Sequence, residues 1–145
     1  MRVVLQAAPF DLGAEAAAFA AGAEGAGAVV TFTGVVRGDG GMTALEIEHY
    51  PGMTERAMAA HAEAARERFA LTDVLVIHRH GRMVPGEAIM MVATAAPHRA
   101  DAFAAAEFLM DWLKSRAPFW KKEFGPDGEA WVEAKASDED ALGRW

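Results

Sequence analysis

Cysteine is absent from the 145 residues. That excludes disulfides, thiolate metal sites, and a cysteine nucleophile or persulfide carried on this chain. No apolar run approaches the roughly 20 residues needed to span a bilayer. The N-terminal MRVVLQAAPF lacks the apolar core and cleavage pattern of an export signal. A cytoplasmic location without membrane contact is the expectation. Positive charge is also in short supply: 14 Lys and Arg against 21 Asp and Glu leave a net charge of −7. That is the wrong sign for general nucleic-acid binding. An anionic ligand would therefore need a local cluster of cations. Several motifs are missing too. Gly38-Asp39-Gly40-Gly41 lacks the lysine and spacing of a phosphate loop, and there is no G-x-S-x-G elbow. His78 and His80 share one face of a predicted strand, but no H-E-x-x-H or cysteine completes a ligand set, so no metal is expected.

What is present suits one domain spanning 1–145, with 52% hydrophobic residues to build a core. Arg2 to Gln6 reads as a strand, and Asp11 as the cap of an alanine-rich helix over 12–22. Ala28 to Val36 is β-branched and reads as a buried strand; Ala44 to Tyr50 alternates, with Leu45, Ile47 and His49 on one face. These two are predicted to pair as a hairpin. Thr54 is the predicted cap of a helix over 55–69, which turns Ala57, Met58, His61, Ala65 and Phe69 inward. Strands over 73–79 and 88–95 follow, joined through Pro85-Gly86. The chain ends in a hairpin, 120–124 with 129–134, and a short helix within 137–145 whose acids Asp138, Glu139 and Asp140 read as a solvated start. Hairpins interrupted by helices predict an α+β domain with a mainly antiparallel sheet.

The most informative stretch is TAAPHRADAFAAAEFLMDWLKSRAPFWKKE, residues 94–123. Pro97 precedes a predicted helix whose stripe is Ala102, Phe103, Ala106, Leu109, Met110 and Leu113. Lys114 falls roughly 90° from the stripe centre, at the border of core and water. Such a lysine either snorkels over apolar surface or serves as a reactive group. His98 and Arg99 sit in the first turn, where free N–H groups and the helix dipole favour an anion. The bland alternative for them is a salt bridge to Asp101 or Glu107. Pro118 stops the helix, and Phe119-Trp120-Lys121-Lys122 resumes in extended form. Cations thus gather at element ends: Arg37, His98, Arg99, Lys114, Lys121 and Lys122.

PHR at 97–99 with FLMDWLKSRAPFWKKE resembles the catalytic (large) subunit of molybdopterin synthase. So do GAVVTFTGVVR at 27–37, LEIEHYPGMTE at 45–55, VIHRHGRMVPGE at 76–87 and WVEAK at 131–135, all in the expected order. The resemblance implies an α/β hammerhead fold and a homodimer. It implies a sulfur transferase that converts cyclic pyranopterin monophosphate to molybdopterin, needing no resident cofactor. Sulfur would arrive as the C-terminal thiocarboxylate of a small ubiquitin-like carrier subunit, which fits a chain without cysteine. By the same resemblance Lys114 and Lys121 are catalytic. Val35, Val36, Arg37, His98, Arg99, Lys122, Glu123 and Lys135 handle substrate, and Phe32 and Met110 line the pocket. Lys135 stands where the family carries arginine, which keeps the charge but loses the bidentate fork. In this reading Lys114, its ammonium disfavoured by desolvation, is a proton carrier or a nucleophile, and Lys121 stabilises developing negative charge. The rivals are a non-catalytic relative that only binds the carrier, and a generic anion-binding domain.

A helix running unbroken from 98 to 114 sets a geometric condition. Its two ends lie about 22–24 Å apart at roughly 1.5 Å per residue. No pterin phosphate touches both, so the expected active site is shared between two copies of the chain.

Overall fold

Ala88–Ala96, AIMMVATAA, is buried along nearly its whole length because it is an almost unbroken run of apolar and small residues. In the computed structural model, which describes residues 1–133 and 135–145, this strand (β6) lies inside a sheet. It pairs antiparallel with β4 (Asp73–Arg79) on one side and with β2 (Ala28–Val35) on the other. β1 (Arg2–Gln6) adds to β4 in parallel, giving the order β1-β4-β6-β2. One face of this sheet carries Leu75, Ile77, Met91, Ala93 and Ala95 against Phe19 of helix α1 (Leu12–Gly22). The other carries Val74, Val76 and Val92 against helices α2 (Met53–Arg68) and α3 (Arg99–Ser115). The hydroxyl of Thr94, wholly buried in mid-strand, donates to the Ala102 carbonyl of α3 at 2.7 Å and ties that helix to the sheet. Gly27 lets the backbone pass close to Pro97 at the start of α3: a Cβ there would lie 2.3 Å from the Pro97 carbonyl oxygen.

A second, wholly antiparallel sheet runs β5 (Gly81–Met83), β3 (Ala44–His49), β7 (Phe119–Gly125), β8 (Gly128–Trp131). The last helix, α4, spans Ala136–Ala141 and tightens into a 3-10 turn over Leu142–Arg144. The α+β architecture is as expected, but it is built on two sheets. The predicted hairpin of 28–36 with 44–50 does not form. Val36 exchanges backbone hydrogen bonds with the 86–87 turn of the first sheet, whereas Thr43 donates its N–H to Phe124 of the second. Between them a 3-10 turn at Asp39–Gly41, with Gly40 and Gly41 at positive φ, carries the chain across.

Other local expectations need correcting. Gly52, not Thr54, caps α2, and the Glu55 carboxylate accepts the Gly52 N–H at 3.1 Å. Thr54 lies inside the helix, where its Oγ1 accepts from Tyr50 N–H at 2.9 Å and donates to Pro118 O at 3.0 Å. Phe103 is 60% exposed; Ala105 and Phe108 take its place in the buried stripe of α3. The short strand β5 was not expected at all. Its pairing with β3 is what joins the 80s loop to the second sheet. The predicted strand 129–134 closes earlier, at Trp131, and its residue 134 lies outside the described residues. His61 behaves as a packing residue, stacked on Phe108 and Trp112 at 4.4 and 4.5 Å between centroids. Among the described residues no helix is long and apolar enough to cross a membrane.

Candidate functional site

The end of α3, strand β7, the loop after β2 and the segment leading into α4 converge on a cavity of about 260 Å³. Its floor is the apolar core, with Leu45, Ile89, Leu113 and Phe119 at the surface of that layer. Above the floor stand four cations, Arg37, Lys114, Lys121 and Lys135, interleaved with Asp39, Glu123, Glu133 and Asp138.

Local structure explains how the lysines come together. α3 ends because Pro118 cannot continue it, and the Trp112 carbonyl accepts both Arg116 N–H and Ala117 N–H, at 2.8 and 3.0 Å. The Thr54 hydroxyl then pins the Pro118 carbonyl, so the chain enters β7 in a fixed direction. Along β7 the strand period sends Phe119, Lys121 and Glu123 into the cavity. Trp120 and Lys122 fall on the opposite face. There Trp120 meets Tyr50 at 5.7 Å, and the Lys122 ammonium lies 4.4 Å from the Trp131 ring centroid and 3.7 Å from Glu129. The far wall is clamped to α3: Ser115 Oγ donates to Asp138 O at 3.0 Å, and Arg116 pairs with Glu139 at 2.7 Å.

Electrostatically the two lysines differ. Lys121 is half-buried, and no hydrogen-bond or ion-pair partner holds its ammonium among the described residues. Burial first, then the neighbouring Lys114 charge, pull its pKa down to about 8, with Lys135 adding to the fall and Asp138 opposing it. Lys114 is exposed. The desolvated lysine is therefore Lys121 and not, as expected, Lys114. The helical arithmetic places Lys114 beside the core stripe, yet in the fold the residue is exposed. Arg37 is also solvent-facing, with Nε 3.5 Å from Asp39.

The cavity thus gathers Val35, Val36, Arg37, Lys114, Lys121, Glu123 and Lys135 from the expected set. It does not gather the others. His98 is the N-cap of α3 and Arg99 its first residue, both exposed and without an ion pair among the described residues. α3 is one uninterrupted helix, so Arg99 lies about 22 Å along the axis from Lys114. Phe32 is 40% exposed on β2, the edge strand of the first sheet, and Met110 packs at the border of the core. Asp138, which as an acid at a helix start reads as solvated in the sequence, lines the cavity as well. Here it faces the lysines.

Comparison with known proteins decides the family. The model of the MoaE protein family matches residues 5–116. This chain belongs to the MoaE family. The molybdopterin synthase catalytic subunit of Cereibacter sphaeroides is 70% identical to it over 146 residues, covering 100% of both chains. Among solved structures, the molybdopterin biosynthesis MoaE protein of Burkholderia ambifaria superposes with a TM-score of 0.83 at 50% identity, covering 99% of this chain and 97% of that one. A complex of subunits 1 and 2 of molybdopterin-converting factor from Helicobacter pylori contains a chain of the same fold, with a TM-score of 0.74 at 18% identity over 92% of this chain and 90% of that one. The MoaE resemblance visible in five ordered motifs thus extends over the whole length.

Proposed function

We propose that this MoaE-family chain is the catalytic subunit of a molybdopterin synthase and that the cavity at Lys114 and Lys121 is where sulfur is transferred. The observation that carries the assignment is two lysines from different elements, neither ion-paired among the described residues, meeting over an apolar floor with Arg37 and Lys135 beside them. A cyclic pyranopterin monophosphate brings a phosphate for the cations and a flat apolar ring for the floor. Sulfur comes from a small carrier subunit, since this chain has no cysteine to hold it. In each of two rounds a C–S bond forms on the substrate side chain as a C–O bond at the same carbon breaks, its oxygen leaving as water or as the freed end of the cyclic phosphate, and the carrier's acyl C–S bond breaks. Water takes the acyl carbon, leaving the carrier with a carboxylate. Lys121, whose pKa sits at about 8, exchanges a proton near neutral pH, and Lys114 holds the incoming thiocarboxylate as a fixed cation.

A second copy of the chain completes the site. His98 and Arg99 are too far along α3 to reach the cavity of their own chain, and both are solvent-facing. The edge strand β2 exposes Val29, Phe32 and Val35 along with one unpaired row of backbone groups. Such an edge is a pairing surface. A two-fold dimer that brings the Arg99 end of one protomer to the Lys114 end of its partner gives two equivalent sites, and a carrier at each makes a heterotetramer.

The test is reconstitution with thiocarboxylated carrier and pterin precursor, followed by detection of the dithiolene product. A loaded, bound carrier that yields no product overturns the enzymatic reading in favour of a carrier-binding scaffold. Phosphate binding with no carrier complex would leave only an anion-binding domain. The shared site is tested by mixing a His98→Ala/Arg99→Ala chain with a Lys114→Ala chain, each inactive alone. Subunit exchange restores part of the activity if the site is shared. Mixed dimers that stay inactive refute that arrangement.

A further inference from the structure

Beneath the cavity lies a histidine to which the reaction scheme assigns no role. His78 is wholly buried on β4, on the face shared with Val74 and Val76, the same core that floors the cavity. Its Nδ1 lies 2.7 Å from the Arg79 carbonyl oxygen. A carbonyl only accepts, so Nδ1 carries the proton and Nε2 presents a lone pair. Nδ1 is turned back to the main chain, Nε2 is the ring nitrogen farther from it, and the side chain leaves β4 on the face covered by α2, α3 and Phe119. There the His78 ring stacks on Phe119, with centroids 4.0 Å apart and planes 16° from parallel. Phe119 and Lys121 project from the same face of β7 into the cavity. Nε2 is buried and no protein group among the described residues hydrogen-bonds to it.

An acceptor without a donor and a half-buried ammonium without an acceptor thus occupy adjacent layers. Buried polar groups in native proteins are nearly always paired, so both are expected to find a partner when the cavity fills and water leaves it. Resting on the sulfur-transfer reading above, we propose that His78 is a positioning residue for Lys121: its Nε2 accepts a hydrogen bond from the Lys121 ammonium when the carrier's tail occupies the cavity. The charged groups that face His78 are Lys121 from β7 and Lys114 from α3, with His80 at the end of its own strand. All three would repel a protonated ring. Together with burial they keep the imidazole neutral through the working pH range, its pKa lying at about 3.

Glutamine and asparagine separate the positioning role from simple packing, because both remove the aromatic stack. The glutamine amide reaches the place of Nε2, whereas the asparagine amide reaches only that of Nδ1. The proposal expects His78→Gln to retain most of the turnover, and His78→Asn and His78→Phe to lose about ten-fold or more, the scale of a lost hydrogen bond to a charged group. In the pH–rate profile the limb belonging to Lys121 moves to lower pH in His78→Asn and His78→Phe and stays in place in His78→Gln, because an acceptor favours the ammonium form. Equal activity of the Gln and Asn variants, or a Phe variant matching wild type, overturns the proposal. Should the variants fail to fold, nitrogen NMR of the wild-type histidines decides. Adding a carrier with a plain carboxylate terminus must move the Nε2 resonance of His78 toward its hydrogen-bonded position, and an unmoved resonance overturns the contact. Wild-type chain that makes no dithiolene product would strike instead at the reading of the site.

Discussion

Replacing Lys121 by methionine should remove activity and at the same time stabilise the fold. The pKa of Lys121 falls from 10.5 to about 8 in the folded chain, burial being the largest cause. At about 1.36 kcal/mol per pH unit, holding the ammonium in place at pH 7 costs up to about 3 kcal/mol. Relaxation and partial solvation reduce that, and methionine keeps an apolar stem of similar length, so a net gain of about 1–2 kcal/mol is expected. For a domain of this size that is a rise of about 3–6 °C in Tm. The sign of the pH dependence is fixed by linkage. Between pH 8 and 10.5 the unfolded chain still holds the Lys121 proton while the folded chain has released it, so the stability of the wild type rises with pH across that window. The variant lacks this contribution. Its advantage is therefore full below pH 8 and shrinks as pH rises through 8 toward 10.5. Urea unfolding of both chains at pH 7 and pH 9.5 measures it, with the slope m checked for constancy. A variant less stable than wild type at pH 7, or an advantage that does not change with pH, would show that Lys121 is not held against a desolvation penalty.

Two further outcomes follow from the same geometry. Lys114→Ala should raise the pKa of Lys121, since the Lys114 charge is the second cause of its depression, and the NMR titration of the Lys121 ammonium should move to higher pH. No movement would mean the two ammonium groups do not sense each other. Phe119→Asp places a carboxylate on the cavity floor in direct contact with the His78 ring, and should weaken the carrier complex by about ten-fold or more while affecting pterin binding less. Equal loss of both, measured by titration calorimetry, would remove Phe119 from the carrier's path.

Much of the architecture is legible because its signals are local. Leu45 and Ile47 alternate with Glu46 and Glu48, and β3 buries the first pair. Asp11 caps α1, its carboxylate accepting the Ala14 N–H at 2.9 Å. Pro118 ends α3 within a few residues of where its ring forbids continuation. What local signals do not carry is partner choice. β2 and β3 are neighbours in sequence and both strand-like, yet β2 pairs with β6 and β3 with β7, a strand more than seventy residues away. That decision is made by which apolar faces must be covered. β6 is buried on both faces and lies in the sheet that helices cover on both sides, whereas β3 buries Leu45 and Ile47 and turns Glu48 outward in the second sheet.

The site divides along the same line. Residue type and position at element ends single out Lys114 and Lys121, but their order of burial is a tertiary property. A helical wheel locates Lys114 relative to the axis of α3 and says nothing of what the next strand does. Once the chain turns at Ala117 and Pro118, β7 lays Lys121 over Leu45, Ile89 and Phe119, and Lys114 stays at the rim. The lysine that is two residues past an aromatic on an inward-facing strand is thus the one that loses water. The same turn explains His78. An H-x-H on a strand signals at most a metal pair, and only the fold sets one of those histidines against Phe119, which itself lines the cavity. His80, two residues on, belongs to a different environment, its ring 4.2 Å from that of His49 at the end of β3. β4 ends at Arg79, so His80 lies just past the strand that carries His78, and the two rings meet different neighbours of the second sheet, His49 and Phe119. Lys121 and His78 acquire their chemistry where Phe119 of β7 meets β4, from positions 43 residues apart in the chain that no local pattern connects.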